Sequence, residues 1–365
     1  MVKKIGFFLL FFISLIIIEK SIALADCQGC CSYHGGVVCR NGVTMCADGT
    51  PLSTTCQSKG CNVCTTTPPP PTPPPPDDRT IKIASFNVKE LTIDKANNQL
   101  ILNKIALIIS NFDVVAIQEV QDDTGYALQT LEDEIDSLGS NYDFILSSSV
   151  GRTSYLEQFA FFYRSDKLRL ISNELYDDKE YDLFERDPFI VHLASIEGNF
   201  DFVLINVHIK PDNATNEIGK LANLLEQVQL KFPEESDFII IGDLNADCAF
   251  FDENDQSSSL KSAEYTWLIS NDMDTNVAET ECTYDRIIIQ SPTLEDYSGN
   301  SGVHKFDDIF SLTNDEAIQI SDHYPVWSSF YIGRDTDVPT SSNTNSSNSG
   351  GGGGGGCFID SLTFN

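Results

Sequence analysis

Positive charge is scarce in this chain of 365 residues. Lys and Arg together number 23 against 54 Asp and Glu, which gives a formal net charge of −31 at pH 7. Such a balance argues against a protein that holds DNA on a broad basic face. It leaves open an enzyme that meets phosphate groups locally, through a metal ion and a few Arg or Lys side chains. An acidic surface also favours solubility, which is its commonest use.

The start of the chain has an apolar run from Ile5 to Ile18 but lacks one long enough to span a membrane. After Lys3 and Lys4, the apolar stretch ends at Ile18, and Ala23-Leu24-Ala25 follows. This stretch is short for a membrane span of about 20 residues. A basic start, an apolar run and a small-residue cleavage sequence are typical of a signal peptide. We therefore predict that residues 1–25 are removed and that the protein is secreted, to the extracellular space or the periplasm, with no permanent membrane span.

Cysteine is concentrated in one segment and sparse elsewhere. Eight of the eleven cysteines lie in residues 26–66, at positions 27, 30, 31, 39, 46, 56, 61 and 64. A segment of this length is too small for a sufficient apolar core and needs cross-links. In an oxidising compartment we predict a module with up to four disulfides of open connectivity. Zinc bound through Cys27-x-x-Cys30 and Cys61-x-x-Cys64 is the alternative, and the sequence indicates no partner for this module.

Two low-complexity segments flank the largest domain. Residues 67–78 are rich in Thr and Pro, which predicts a semi-rigid polyproline II spacer. Residues 333–365 are rich in Ser, Asn and Gly with little apolar surface to bury, which predicts disorder. Cys357 follows six glycines in this tail. A role in surface attachment and a simple frayed terminus both remain open for it.

The intervening residues 79–332 make one domain's worth of chain. Apolar runs predict strands at 81–86, 113–118, 158–163, 188–195, 202–208, 237–241, 284–289 and 324–331. Helical periodicity predicts helices at 94–111, 125–138 and 214–231. Several strands are apolar throughout, as in sheets covered on both faces. The pattern predicts an α/β domain in which two sheets pack face to face with helices outside.

Polar groups stand where several of the predicted strands end. Ser-Phe-Asn-Val covers 85–88, Ile-Gln-Glu-Val ends at Val120, Ile-Gly-Asp-Leu-Asn-Ala-Asp covers 241–247, and Ser-Asp-His-Tyr-Pro-Val covers 321–326. Hydrolysis of a phosphodiester needs charge neutralisation on the phosphoryl oxygens, a positioned water and a proton for the leaving oxygen. Carboxylate, amide and imidazole groups at strand ends could supply all three.

Single residues in these motifs suggest separate roles. Asn87 and Glu119 could share a hard divalent cation, which prefers oxygen ligands. Asp243 and Asn245 alternate along the chain, so both side chains could face one way. His208, one of only five histidines, ends an apolar strand. Taken singly, such residues are usually turn formers or structural histidines, but their joint occurrence in this order favours a metal-dependent phosphodiesterase.

These motifs resemble those of the endonuclease/exonuclease/phosphatase superfamily, from about Ile81 to Ile332. Within it the deoxyribonuclease I branch is similar in further places, namely 152–158, Arg186-Asp187-Pro188, and Asp247-Cys248 with 282–286. The resemblance implies a four-layer sandwich, in which two mainly antiparallel sheets are flanked by helices. It also implies an exported, divalent-metal-dependent endonuclease that cuts DNA with little sequence specificity and has a monomeric catalytic domain.

The resemblance assigns roles by matching positions. His323, oriented by Asp285, would activate a water, and His208, supported by Glu157, would protonate the leaving 3′ oxygen to give 5′-phosphate ends. The two histidines could also exchange these roles. The other roles are phosphate or water positioning by Asn245, Arg186 and Asp243, sugar contact by Tyr155, and binding of Mg²⁺ or Mn²⁺ by Glu119, Asn87 and Asp322.

The same resemblance implies two structural features and leaves two other functions open. A disulfide is expected between Cys248 and Cys282. A structural Ca²⁺ site is expected at Asp178, Asp182 and Asp187. Gln121 departs from the pattern, because the branch usually has a DNA-contacting Arg there. The alternative functions are a sphingomyelinase-like phosphodiesterase acting on a phospholipid and a catalytically inactive binding protein.

Overall fold

The chain divides into two compact units, residues 1–75 and 76–365, and the boundary falls within the predicted linker. The computed structural model describes residues 30–34, 36–40, 43–58, 77–179 and 181–336. The predicted signal peptide, the linker as far as residue 76 and the tail from residue 337 lie outside these ranges. Within the ranges, no helix is both long and apolar enough to cross a membrane.

Disulfides hold the described part of the first unit. An antiparallel hairpin of β1 (Val37–Arg40) and β2 (Val43–Cys46) is followed by the short helix α1 (Thr54–Ser58). Disulfides join Cys30 to Cys56 and Cys31 to Cys46. The predicted disulfide module is confirmed for these four cysteines. Zinc binding through Cys30 is not compatible with this pairing, and the cysteines at 27, 61 and 64 lie outside the described residues.

The body combines long strands with short helices. Its described strands are β3 (Asp77–Leu91), β4 (Val114–Val120), β5 (Tyr142–Leu146), β6 (Gln158–Arg164), β7 (Leu168–Leu175), β8 (Phe189–Ser195), β9 (Asp201–His208), β10 (Phe238–Asp243), β11 (Tyr265–Trp267), β12 (Asp285–Gln290), β13 (Tyr297–Val303) and β14 (Val326–Gly333). Its described helices are α2 (Ile93–Ala96), α3 (Gln99–Ile109), α4 (Tyr126–Ser137), α5 (Ala214–Ile218), α6 (Leu221–Gln229), α7 (Phe306–Phe310) and α8 (Asn314–Ile320). Short 3₁₀ turns occur at Pro211–Asn213, Ser259–Lys261 and Pro292–Leu294.

The strands form two six-stranded sheets with the same pattern of pairing. One sheet has the order β13-β14-β3-β4-β6-β5, and the other has the order β11-β12-β10-β9-β8-β7. In each sheet the middle pair is parallel, β3 with β4 and β10 with β9. The other four pairs of each sheet are antiparallel. The predicted fold of two mainly antiparallel sheets is therefore confirmed.

Three apolar layers hold the body together. Between the sheets, Ile83 and Phe161 of one sheet pack with Phe202 and other residues of the second sheet. Ala84 and Phe86 point the other way along β3, because strand residues alternate between faces, and they pack under α3, α4 and α8. The outer face of the second sheet packs against α5 and α6. The sandwich thus has the four layers that were predicted.

All eight predicted strands are present, and they are the interior strands of the two sheets. The strands that sequence reasoning missed are β5, β7, β11 and β13, which are the four sheet edges. The predicted helix at 94–111 breaks at Asn97-Asn98, and the one at 214–231 breaks at Gly219-Lys220. Helices α7 and α8 were also missed. The capping box of Thr313 and Glu316 at the start of α8 was a readable signal for that helix.

A glycine allows the parallel pair β9 and β10 to approach closely. Gly242 has φ +150°, and a Cβ atom there would overlap the backbone carbonyl oxygen of Val207. The residues that follow these two positions are His208 and Asp243, which lie opposite each other at the end of the pair. A side chain at residue 242 would therefore push β9 and β10 apart and separate His208 from Asp243.

We predict that Gly242→Ala lowers the free energy of unfolding by at least about 3 kcal/mol, because positive φ and overpacking both add a cost. Gly299→Ala is the matched control, since Gly299 has φ +84° with no atom within 4 Å of the added Cβ. The control should lose only about 1–2 kcal/mol. Denaturant unfolding of both variants measures the difference, and equal losses would contradict the prediction.

Candidate active site

The predicted site residues meet at one end of the sandwich, where the two parallel strand pairs finish. Asn87 and Glu119 come from the carboxyl ends of β3 and β4, and His208 and Asp243 come from those of β9 and β10. Asp285 begins β12 directly opposite Asp243 in the antiparallel register. Parallel strands bring their carboxyl ends to the same edge, and the sandwich places the two edges together.

The carboxylate of Asp243 lies at the centre of this group and is buried. Its Oδ2 atom is 3.5 Å from Nε2 of His208 and 3.5 Å from Nε2 of His323. The same oxygen accepts a hydrogen bond from Asn87 Nδ2 at 3.1 Å, and Oδ1 accepts one from the Asn245 backbone N–H at 3.0 Å. Burial alone would raise the pKa of Asp243, but the charges of the two histidines outweigh it and lower the pKa.

His208 is held by a buried carboxylate. Its Nδ1 atom lies 2.8 and 3.0 Å from the two carboxylate oxygens of Glu157, which is 1% exposed. Arg186 Nε lies 2.9 Å from Glu157 Oε2. Burial by itself would lower the pKa of His208, but the carboxylates of Glu157 and Asp243 raise it above its usual 6.5. Nε2 of His208 is therefore left facing Asp243, with its proton stabilised.

His323 is held in the same way from the other side. Its Nδ1 atom lies 2.8 Å from Oδ2 of Asp285, which is fully buried. Burial opposes the charged imidazole, but Asp285 and Asp243 together raise the pKa of His323 to about 10. Thr275 fixes the backbone of this segment, because its Oγ1 accepts hydrogen bonds from the N–H groups of Tyr284 and Asp285 at 2.9 and 3.2 Å. Two histidine–carboxylate pairs thus converge on one central oxygen.

The third part of the site is a partly exposed carboxylate beside an amide. Glu119 Oε1 accepts a hydrogen bond from Asn87 Nδ2 at 2.9 Å, and Oε2 accepts one from the Glu90 backbone N–H at 3.0 Å. Asp322 Oδ2 lies 3.5 Å from Lys89 Nζ. The Glu119 carboxylate suits a hard divalent cation that keeps most of its shell as water or phosphate oxygen. The Asn87 oxygen Oδ1 accepts a hydrogen bond from the Lys89 backbone N–H at 2.9 Å, so a change in the Asn87 side chain would be needed for it to become a second ligand.

Backbone strain is concentrated around this carboxylate. Lys89, Glu90, Glu119 and Asn245 have φ values of +49°, +52°, +63° and +48°, which non-glycine residues rarely adopt. Such conformations persist only where the surrounding structure holds them, and they cluster at functional sites. Lys95 contributes here, because its Nζ donates hydrogen bonds to the carbonyl oxygens of Val88 and Lys89 at 2.6 Å each.

Tyr155 and Arg186 border the open side of the site. The Tyr155 ring is 37% exposed, and its hydroxyl donates a hydrogen bond to Glu119 Oε2 at 3.2 Å. The guanidinium carbon of Arg186 lies 5.7 Å from the centre of that ring. Asn245 Nδ2 donates a hydrogen bond to the Ile209 carbonyl oxygen at 3.0 Å, which fixes the orientation of its side chain. The structure thus brings together all the residues predicted for catalysis and substrate contact.

Two of the three aspartates of the predicted calcium site contact a cation of the chain itself. Asp178 is buried, and its Oδ2 lies 3.2 Å from Nη2 of Arg152; Asp182 Oδ1 lies 2.7 Å from the same nitrogen. Burial, followed by the nearby charge of Asp178, raises the pKa of Asp187. The Arg152 guanidinium therefore occupies the position between two of the three carboxylates, and calcium binding there stays a prediction.

The disulfide implied by the resemblance is formed. Cys248 and Cys282 are bonded, with their Cα atoms 5.9 Å apart. They link the segment after β10 to the segment that leads into β12, and these segments follow Asp243 and precede Asp285 respectively. The covalent link therefore joins two parts of the chain that carry site carboxylates.

Sequence reasoning missed several residues that position the site. Ser321 is buried, and its Oγ donates a hydrogen bond to the Asn87 carbonyl oxygen at 2.6 Å while it accepts one from the His323 backbone N–H at 2.9 Å. Below the site, Gln118 Nε2 donates to Asn206 Oδ1 at 2.7 Å across the two sheets, and both side chains are fully buried. For Gln118 and Asn206 the sequence did offer a signal, because each is a polar residue within an otherwise apolar strand.

Comparison with known proteins agrees with these features. The sequence profile described as Endonuclease/Exonuclease/phosphatase family matches residues 84–323. Over 260 residues the chain is 35% identical to Deoxyribonuclease-1 of Gallus gallus, a match that covers 68% of this chain and 91% of that protein. It is 31% identical over 255 residues to Deoxyribonuclease-1-like 1 of Homo sapiens, with coverage of 68% and 83%. A solved endonuclease/exonuclease/phosphatase family protein from Bacteroides thetaiotaomicron aligns with 69% of this chain and 97% of its own at 16% identity and a TM-score of 0.47.

We predict that Glu157→Gln lowers the pKa of His208, because the larger of the two carboxylate contributions that offset burial is then lost and only that of Asp243 remains. NMR titration of the histidine rings in chelator-treated protein measures this shift. Glu174→Gln is the matched control, since Glu174 pairs with Lys231 on the surface. An unchanged His208 titration in Glu157→Gln would show that the carboxylate does not control this imidazole.

Proposed function

We propose a specific activity for this chain, which belongs to the endonuclease/exonuclease/phosphatase family. It is a phosphodiester hydrolase, a nuclease of the deoxyribonuclease type. It is an exported endonuclease that depends on Mg²⁺ or Mn²⁺, cuts DNA with little sequence specificity and leaves 5′-phosphate ends. One observation carries the proposal. The Nε2 atoms of two carboxylate-bound histidines, His208 and His323, both lie 3.5 Å from the same oxygen of Asp243.

This geometry supports proton transfer on both sides of a phosphate. His208, with Nδ1 held by Glu157, keeps a proton on Nε2 and donates it to the leaving 3′ oxygen. His323, with Nδ1 held by Asp285, takes a proton from the attacking water when its ring is neutral. The two pairs are nearly equivalent about Asp243, so the reverse assignment of acid and base uses the same atoms. Either assignment leaves the phosphate on the 5′ carbon of the product.

The raised pKa values of His208 and His323 affect whether each ring is neutral or protonated. In the free site the carboxylates favour imidazolium at both positions. That form suits the group that donates a proton, whereas the group that acts as base has to release its proton first. We propose that Asp243 and the Asn245 amide hold the water and the phosphate between the two rings, so that one transfer follows the other without rearrangement of the side chains.

Glu119 and Asn87 are the proposed ligands of the divalent ion, with Asp322 nearby. When bound, the ion neutralises charge on the phosphoryl oxygens. Without it, a DNA phosphate would meet the carboxylates of Glu119 and Asp243 on a chain of net charge −31. Arg186, beside the Tyr155 ring, is the cation of the chain best placed to meet phosphate, and Tyr155 is the ring best placed to contact a sugar.

Export and calcium binding are further parts of the proposal. Three disulfides in the described residues support folding in an oxidising compartment, in agreement with the predicted signal peptide. Structural Ca²⁺ at Asp178, Asp182 and Asp187 requires Arg152 to leave its position between the first two of them. The proposed catalytic domain acts as a monomer, and every residue in the proposed mechanism comes from one chain.

We predict that His208→Ala and His323→Ala each lower the rate of plasmid nicking at least 100-fold, because each removes a proton-transfer group. The assay uses supercoiled plasmid with Mg²⁺, with Mn²⁺ and with EDTA, and ligation of the nicked product tests for 5′-phosphate ends. His34→Ala is the matched control, since His34 is an exposed histidine of the first unit that pairs with Asp48.

Retention of near-wild-type nicking by both variants would disprove the assignment of the histidines. If the folded wild-type protein does not nick DNA with any of the metals, the activity on DNA is wrong. Phospholipid and small phosphodiester substrates are then the next tests. A folded protein without any turnover would support the binding-protein alternative.

We predict that Glu119→Ala shifts the Mg²⁺ concentration for half-maximal nicking upward at least 10-fold, because the ion loses its carboxylate ligand. The readout is the nicking rate across a Mg²⁺ series. Glu90→Ala is the matched control, since Glu90 contacts Glu119 through its backbone N–H and not through its side chain. An unchanged Mg²⁺ requirement in Glu119→Ala would place the ion elsewhere.

A further inference from the structure

A second group of buried ionisable side chains lies at the end of the sandwich opposite the candidate active site. Strand β9 runs from Asp201 to His208, so its first residue is at the far end from the catalytic histidine. Asp201 meets His192 of β8 and Glu235, which lies in the segment that leads into β10. The side chains of these three residues are only 2–3% exposed. They have no place in the proposed hydrolysis.

The two distances from His192 to the carboxylates match those between ligands of a metal ion, and the ligand atoms of all three residues lie within 4.8 Å of one another. His192 Nε2 lies 3.3 Å from Asp201 Oδ2 and 3.2 Å from Glu235 Oε2. A tetrahedral zinc ion, with ligand distances of about 2.0–2.2 Å, sets its ligand atoms roughly 3.3–3.5 Å apart. The three side chains could therefore contact one ion with only a small adjustment of their positions.

The orientation of the imidazole is a second observation that points to an ion. His192 Nε2 is buried, and although one carboxylate oxygen of Asp201 and one of Glu235 lie 3.3 and 3.2 Å from it, neither is placed for a hydrogen bond of good geometry. A buried polar atom nearly always has a hydrogen-bond partner, so an exception calls for an explanation. A nitrogen lone pair that is directed between two carboxylate oxygens, toward a shared ion, explains both the short distances and the poor hydrogen-bond angles.

The surroundings of these three residues are rich in carboxyl groups. The Asp237 backbone N–H donates a hydrogen bond to Glu235 Oε1 at 2.7 Å, so the other oxygen of Glu235 is turned toward His192. A neighbouring group of three buried carboxylates, Asp237, Asp296 and Asp335, adds further negative charge. Asp335 also reaches the first group, because its Oδ2 lies 3.4 Å from the Asp201 backbone nitrogen. A bound cation is favoured in such a place.

We propose that His192, Asp201 and Glu235 bind a divalent transition-metal ion, with Zn²⁺ as the best fit, at a structural site separate from the catalytic centre. An imidazole nitrogen with two carboxylate oxygens suits zinc better than the oxygen-loving Mg²⁺ or Ca²⁺. A cavity of about 310 Å³ borders the site and is lined by His192 and Glu235 together with Lys231 and Phe232.

The proposed ion would connect parts of the chain that are far apart in sequence. It would join the β8–β9 hairpin to the segment that follows α6 and leads into β10. Phe232 in that segment already packs edge-on against the His192 ring, with 5.4 Å between ring centres. The ion would add a second, stronger link at the same place. Its removal should therefore lower thermal stability without touching the proton-transfer groups at the other end.

The test uses the full chain, stripped of metal with a chelator and then titrated with Zn²⁺ or with Co²⁺, whose visible absorption reports tetrahedral ligands. We expect His192→Gln to lower Zn²⁺ affinity at this site more than 100-fold. Loss of a residue that only supports a ligand can lower metal affinity about 10- to 100-fold, and loss of a ligand itself should lower it further. We also expect Zn²⁺ to raise the melting temperature of the wild type but not of His192→Gln. His34→Gln is the matched control and should behave as the wild type does.

A second measurement keeps the test valid if His192→Gln folds poorly. Crystals of the wild type grown with Zn²⁺ at a molar equivalent should give an anomalous scattering peak between His192, Asp201 and Glu235. The His208→Ala variant, which should lose nicking, should keep both this peak and the Zn²⁺-dependent rise in melting temperature. Absence of the peak in the wild type, or equal Zn²⁺ binding and stabilisation in folded His192→Gln, would overturn the proposal and leave a plain histidine–carboxylate ion pair.

Discussion

The hydrogen bond from Asn87 to Asp243 connects the two sheets at the point where the chemistry is proposed to occur. Asn87 lies near the carboxyl end of a strand of one sheet and Asp243 ends a strand of the other, so this contact fixes the distance between two halves of the site. Both histidines, held by Glu157 and Asp285, face Asp243, and Glu119 accepts a hydrogen bond from Asn87. An error in the packing of one sheet on the other would therefore disturb every proposed catalytic group at once.

The layer beneath the site shows how that packing is kept in register. Gln118 and Asn206 are fully buried amides that join the two sheets, and Asn206 Nδ2 also donates a hydrogen bond to the Ile117 carbonyl oxygen at 3.1 Å. Apolar side chains can slide past one another at little cost, whereas buried amides lose hydrogen bonds when they move. We infer that this layer gives the sandwich one preferred alignment, where apolar packing alone would tolerate several.

How much could be predicted from the sequence depended on how each part is stabilised. Strands such as β9 and β10 lie inside their sheets and are covered on both faces, so their runs are apolar and readable. The edge strand β13 reads Tyr-Ser-Gly-Asn-Ser-Gly-Val, because one of its sides faces solvent, and it gave no such signal. The site was readable because its residues occur in recognisable motifs. Ser321 and Thr275 were missed as positioning groups, since a hydroxyl acts through contacts that only the folded chain reveals.

The disulfide between Cys248 and Cys282 links the proposed site to the redox state of its surroundings. In a reducing environment this link is absent, and the segments that follow Asp243 and precede Asp285 are then joined covalently only through the chain between the two cysteines, whose sequence separation is 34. Asp285 holds His323, and Asp243 faces both His208 and His323. If the nuclease is exported as proposed, formation of this link in an oxidising compartment would complete the connection between the two segments only after the chain has left the cytosol.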